Sequence, residues 1–187
     1  MATKMTGAAV RDGGDEVSMS YQLQSRLIVL VNMIENARNQ VDGQVSVSPV
    51  RAIFSGAGDE ELEAAEHLLA ATLDVGLKRI DLSELYNQYR SESEHRLEQY
   101  LDQAQADHGV LLFDGVDALF GHDTAVMKEG GGRHRQLDVG YFLKTLGCRN
   151  VPIILHSRSY FRLAPDILRH FACVVDFDDG LLPLAVK

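Results

Sequence analysis

Val110-Leu111-Leu112-Phe113-Asp114 restricts the fold more than any other segment: four apolar residues in succession, closed by an acid. A strand with one wet face alternates apolar and polar residues, whereas one covered on both faces reads as an unbroken apolar run. The segment therefore predicts a central strand of a parallel sheet with helices on both sides. The rest of the chain repeats the theme. Short apolar runs at Arg51–Phe54, Leu77–Leu82, Gly109–Asp114, Val151–Leu155 and Cys173–Phe177 alternate with helical patterns, as in successive βαβ units. Leu62, Ala65, Leu69 and Leu73 line one face of a helix over Asp59–Leu73, with Asp59 at the N-cap. A second helix opens at Ser91, where Ser91 and Glu94 have capping-box spacing, and continues through Leu97, Leu101 and Ala104. Helices are also expected over Leu137–Leu146 and Pro165–Arg169. The fold class is α/β, three layers around a five-stranded parallel sheet.

With 187 residues, 45% hydrophobic and 24% charged, the chain has the balance of one soluble domain. Residues 1–20 are small and polar and read as a flexible tail. Residues 21–45 hold an N-terminal helix, Tyr21–Arg38, with Leu23, Leu27, Leu30, Val31 and Ile34 at helical spacing, and a connector broken at Asp42-Gly43. Residues 46–187 form the α/β core, interrupted by a charged loop over Gly121–Arg135. That loop contains Gly130-Gly131-Gly132 and a small basic cluster, Arg133, His134 and Arg135, read as a solvated loop.

A formal net charge of −9 argues against nucleic acid as a partner, since broad binding to phosphate backbones needs a basic face. No apolar run approaches the roughly 18 residues of a membrane span, and Met1–Val10 lacks a signal pattern, so a cytoplasmic protein is expected. Cys148 and Cys173 sit in apolar sequence without C-x-x-C spacing and read as reduced thiols. The seven histidines show no i, i+4 pairing, and no metal site is expected. Ser157, His156 and Asp166 are the residue types of a hydrolase triad, but no Gly-x-Ser-x-Gly turn accompanies them.

Three stretches carry a family resemblance. Leu111-Leu112-Phe113-Asp114-Gly115-Val116-Asp117-Ala118-Leu119-Phe120-Gly121 resembles the Walker B strand of AAA+ ATPases, which runs four apolar residues, Asp, Glu, then Ala-Asp-Ala-Leu-Phe. Asp81-Leu82-Ser83-Glu84-Leu85, running into Glu92-Ser93-Glu94, is similar to the elements that precede it. Val151–Leu155, then Ala164-Pro165-Asp166-Ile167-Leu168-Arg169-His170 and Val174-Val175-Asp176-Phe177, are similar to the sensor 1 strand, the arginine-finger helix and the last core strand. The resemblance implies a P-loop-NTPase-like AAA+ core over roughly Arg51–Phe177, without the helical lid that normally follows the last strand. Within the family, the Asp117-Ala118-Leu119-Phe120-Gly121 and Val174-Val175-Asp176-Phe177 segments are similar to ATPases encoded with phage-tail-like contractile injection systems.

The same resemblance locates the nucleotide-binding positions, and most hold the wrong chemistry. A P-loop, Gly-x-x-x-x-Gly-Lys-Thr, turns backbone N–H groups toward phosphate at a helix N-terminus and adds a Lys. Its counterpart here is Ser55-Gly56-Ala57-Gly58-Asp59-Glu60-Glu61-Leu62, with Glu61 at the Lys and Leu62 at the Mg²⁺-binding hydroxyl. Asp59, Glu60 and Glu61 complement the helix dipole but repel a triphosphate, at about 1–4 kcal/mol per unit-charge pair at 4 Å. Asp114 keeps the metal position, while Gly115 stands where a Glu activates water; Asp117 is the nearest substitute carboxylate. Arg158 falls at the sensor Asn, and Arg169 keeps one of two finger arginines. No residue is expected to be catalytic and no cofactor is expected. The implied function is that of a pseudo-ATPase scaffold or interaction subunit, working with protein partners by self-association or with an active AAA+ subunit. The alternative is weak ATP or ADP binding, with Mg²⁺, at a site completed by a partner.

Overall fold

The computed structural model describes residues 20–39, 49–86, 89–120, 138–158 and 165–177. The expected tail up to residue 19, the connector at 40–48, the Gly121–Arg135 loop with its basic cluster, and everything after residue 177 lie outside the described residues.

Five strands, β1 (Arg51–Ser55), β2 (Leu77–Asp81), β3 (Val110–Asp114), β4 (Ile153–Ser157) and β5 (Cys173–Asp176), form one sheet in the order β2-β3-β4-β1-β5. Every pairing is parallel. The helices are α1 (Tyr21–Asn39), α2 (Asp59–Leu73), α3 (Leu82–Tyr86), α4 (Arg90–Ala106), α5 (Asp117–Phe120), α6 (Val139–Gly147) and α7 (Pro165–Leu168).

Side chains alternate between the two faces of a strand, and here both faces are dry. Ile53, Leu111, Phe113, Ile153, Leu155 and Val174 point into one core with Leu97 and Leu101 of α4 and Phe142 and Leu146 of α6. Ala52, Phe54, Leu112, Ile154 and Val175 point into the other, with Leu62, Ala65 and Leu69 of α2 and Leu27, Leu30 and Ile34 of α1. The N-terminal helix is thus part of the second layer, and Arg26 fastens it by donating to the carbonyl of Asp176, 2.6 Å away.

Several local expectations need correction. The N-cap of α2 is Gly58 rather than Asp59. Helix α4 starts at Arg90 with Tyr89 as N-cap, and the Ser91–Glu94 capping box does not form. Glu94 accepts instead from Arg90 Nε at 2.6 Å, and the buried hydroxyl of Ser93 donates to the Leu85 carbonyl, joining α4 to α3. Strand β4 runs two residues later than Val151–Leu155. Pro152 lacks an N–H, so the ladder opens with Ile153 donating to the Val50 carbonyl at 3.0 Å, and the polar pair His156 and Ser157 completes the strand opposite Phe54 and Ser55. Cys148 is exposed rather than set in apolar surroundings, whereas burial pushes the thiol of Cys173 up to about 11; both are free thiols.

Candidate functional site

Ligands of open parallel sheets bind beyond the carboxyl ends of the strands, where the order reverses. Here that place lies between β1 and β4, and it is framed by Ser55, Gly56 and Ala57 on one side and His156 and Ser157 on the other. The strand period decides what reaches it. Leu77 of β2, Leu112 of β3 and Ile154 of β4 all face the α2 layer. Two residues on from each, Arg79, Asp114 and His156 share that face. Above them, Asp59, Leu62 and Glu66 of α2 follow one another at helical spacing, so both acids overlook the same spot.

The result is a connected ionic network. Asp114 Oδ2 accepts from Arg79 through Nε at 3.0 Å and also through a terminal nitrogen. Asp114 Oδ1 lies 2.6 Å from Nδ1 of His156, whose Nε2 is 3.1 Å from the carbonyl oxygen of Ala57. Both neighbours of the ring are acceptors, so satisfying them requires hydrogen on each nitrogen. The bond from His156, with that from Arg79, holds the Asp114 carboxyl far below the usual carboxylate range against the opposing effect of burial. Arg79 also faces Glu66 Oε1 at 3.6 Å and Asp59 Oδ1 at 3.7 Å. Burial raises the Glu66 carboxyl, with the Arg79 charge pulling it back, and its Oε1 is buried without a hydrogen bond.

The turn from β1 to α2 contains only Gly56, Ala57 and Gly58, and its amides are used inside the chain. Gly56, at φ +79, donates to the Ser157 carbonyl at 3.0 Å. Gly58 donates to the Glu61 carboxylate at 3.0 Å, so an internal anion sits where the helix N-terminus would draw an external one. Leu62 is wholly buried in the α2 core. Gly115 follows β3 at φ +71, a left-handed backbone that strains any residue with a Cβ, the family's Glu included.

The other expected positions are scattered. Asp117 serves β4: its carboxylate accepts from the Ser157 hydroxyl and from the Arg158 N–H, both at 2.8 Å. The Arg158 side chain is exposed, and the residue that β4 presents to Asp114 is His156. Arg169 is exposed beyond α7. The residues of the supposed triad do not assemble, because Ser157 pairs with Asp117 and His156 with Asp114; the side chain of Asp166 lies outside the described residues. Among the described residues no group of three or more His, Cys, Asp or Glu side chains stands ready to hold a metal ion.

Sequence reasoning passed over Arg79, Glu66 and His156. Their one visible signal was charge in apolar places: Arg79 within a strand, Glu66 between Leu62 and Leu69 on the buried stripe of α2.

A five-stranded all-parallel sheet sandwiched by helices, with its site at the β1–α2 turn and the β3 acid, defines a P-loop-NTPase-like α/β domain. The profile of the ATPase family associated with various cellular activities (AAA) matches residues 64–178, from within α2 to just past β5. The chain belongs to the AAA family. No curated protein matches it. Among the described residues, no helix is long and apolar enough to cross a membrane.

Proposed function

We propose that this chain is an AAA domain that does not hydrolyse ATP and works as a scaffold or interaction subunit, binding further copies of itself or an active AAA+ partner. The observation that carries this is the closure of the nucleotide site by the chain's own groups. The Gly58 amide is taken by Glu61, the Gly56 amide by Ser157, and Asp114 by Arg79 and His156. Mg-ATP does not fit these residues. A phosphate would have to displace Glu61 without gaining a lysine, and Mg²⁺ would have to displace a guanidinium from its only strand-end carboxylate.

Thermal unfolding with and without Mg-ATP tests the proposal. A nucleotide at 100 times its Kd would stabilise the fold by about 2.7 kcal/mol. The expected result is no shift at millimolar Mg-ATP or Mg-ADP and no phosphate release. A clear shift would favour the second reading, a weak nucleotide sensor, which the retention of Asp114 at the end of β3 supports. The interaction role predicts a larger hydrodynamic size at high concentration or with an AAA+ partner. The narrower likeness to ATPases of contractile injection systems rests on residues 117–121 and 174–177, and injection-system structural genes beside this one would support it.

A further inference from the structure

Three acids from two elements converge on one cation. Arg79, on the edge strand β2, meets Asp114 of β3 through two nitrogens, Glu66 of α2 through another at 3.6 Å, and Asp59 at the start of α2 at 3.7 Å. Its guanidinium is held charged: burial works against it, and the Asp114 bond with the charges of Asp114, Glu66 and Asp59 outweighs that. One oxygen of the set, Glu66 Oε1, is buried with no hydrogen bond at all, although it faces Arg79. We propose that Arg79 is a tethered counter-cation that masks a latent divalent-cation site formed by Asp59, Glu66 and Asp114.

The geometry explains why the acids do not form a metal site while Arg79 is present. A guanidinium is flat and spreads its donors outward, so its acceptors stand around a rim several ångströms across. A hard divalent ion instead needs oxygens drawn to about 2.0–2.6 Å from one point. Cutting Arg79 back to Cβ removes the rim and leaves three carboxylates whose mutual repulsion only a small cation relieves. Asp59 is largely exposed and Glu66 has a free-turning helical side chain, so both can close in on the fixed Asp114. His156, on the other oxygen of Asp114, supplies one further positive neighbour and leaves Oδ2 to the cation. The wild-type chain accordingly keeps its fold without any divalent ion. The inference deepens the reading of the site as closed to nucleotide, since the same guanidinium denies Asp114 to a nucleotide-bound Mg²⁺.

The test is the thermal stability of Arg79→Ala in Mn²⁺ alone, without nucleotide, with direct Mn²⁺ binding followed by electron paramagnetic resonance. The expected result is a lowered midpoint that Mn²⁺ raises by about 5–10 °C at a hundredfold excess over Kd, with no response from the wild type. Arg79→Lys keeps a tethered charge and should be nearly blind to Mn²⁺; Arg79→Ala with Asp114→Asn should lose the response. If Arg79→Ala folds only with Mn²⁺ present, the proposal stands. Failure to fold in either condition, indifference to Mn²⁺, or an equal response from the wild type overturns it. Because no nucleotide is present, the outcomes separate: a wild-type response to Mg-ATP sinks the inactive-ATPase reading, whereas a Mn²⁺-blind Arg79→Ala sinks only the counter-cation.

Discussion

The two ends of the sheet are built from different materials. At the carboxyl end, side chains hold the structure together: Asp114, His156, Arg79, Ser157 and Asp117 bridge strands, a turn and two helices. At the amino end the backbone does the work. Helix α4 closes with a left-handed residue, His108 at φ +52, whose N–H donates to Gln105 while Gly109 donates to Ala104. Gly109 then passes so near the loop before β2 that a Cβ there would lie 2.8 Å from the Gly76 carbonyl oxygen. A cavity of about 350 Å³ opens beside this turn, lined by Ala37, Arg38, Val50, Gln105 and Pro152 among others. The contrast shows that the end where the family's chemistry belongs has kept its polar crowd but turned it inward, acids to bases and amides to carboxylates.

The largest expected effect comes from breaking the inward pairing. Asp114→Ala leaves His156 and Arg79 without their shared acid and should cost about 3 kcal/mol or more, read by urea unfolding. A small loss would mean that the carboxyl end is held by something else. The same group sets the acid limb. Its folded carboxyl titrates below its unfolded value, so its contribution is full above about pH 4–5 and fades as pH falls toward the folded value. Asp114→Asn should therefore flatten the stability profile below pH 4 relative to the wild type.

Gly109→Ala probes the other end and should destabilise by about 1–3 kcal/mol, because its new methyl meets backbone rather than a movable side chain. Glu61→Ala comes next, at about 0.5–1 kcal/mol, for the loss of the bond to Gly58 and of an acid in the first turn of α2. If that variant also gained Mg-ATP binding, the internal anion would be the main barrier to nucleotide. The smallest change has the opposite sign. His108→Gly relieves a left-handed backbone at the end of α4 and should stabilise by roughly 0.5–1 kcal/mol in thermal unfolding.

Much of the fold was legible because periodicity records burial. The run 110–113, the stripes of α1 and α2, and the alternation of strand and helix all follow from which faces are dry, and each is local. The short helices α3 and α5 were not expected. Leu82–Tyr86 continues straight from β2 with no turn residue between, and Asp81 itself supplies the cap by accepting from the Ser83 N–H at 2.7 Å. Strand β4 was placed two residues early because His156 and Ser157 look like loop residues until their partners are known.

Sequence by itself fixed the residue types at each motif position: acid at the phosphate turn, glycine after the β3 acid, and apolar strands able to carry a parallel sheet. Only the tertiary structure decided which charges meet. Arg79 and Asp114 are 35 residues apart, His156 and Asp114 are 42, and His156 and Ala57 are 99. Apolar burial repeats with the local period of a strand or helix and so leaves a pattern in the chain. An ion pair needs only two side chains brought within a few ångströms, and no spacing along the chain encodes that.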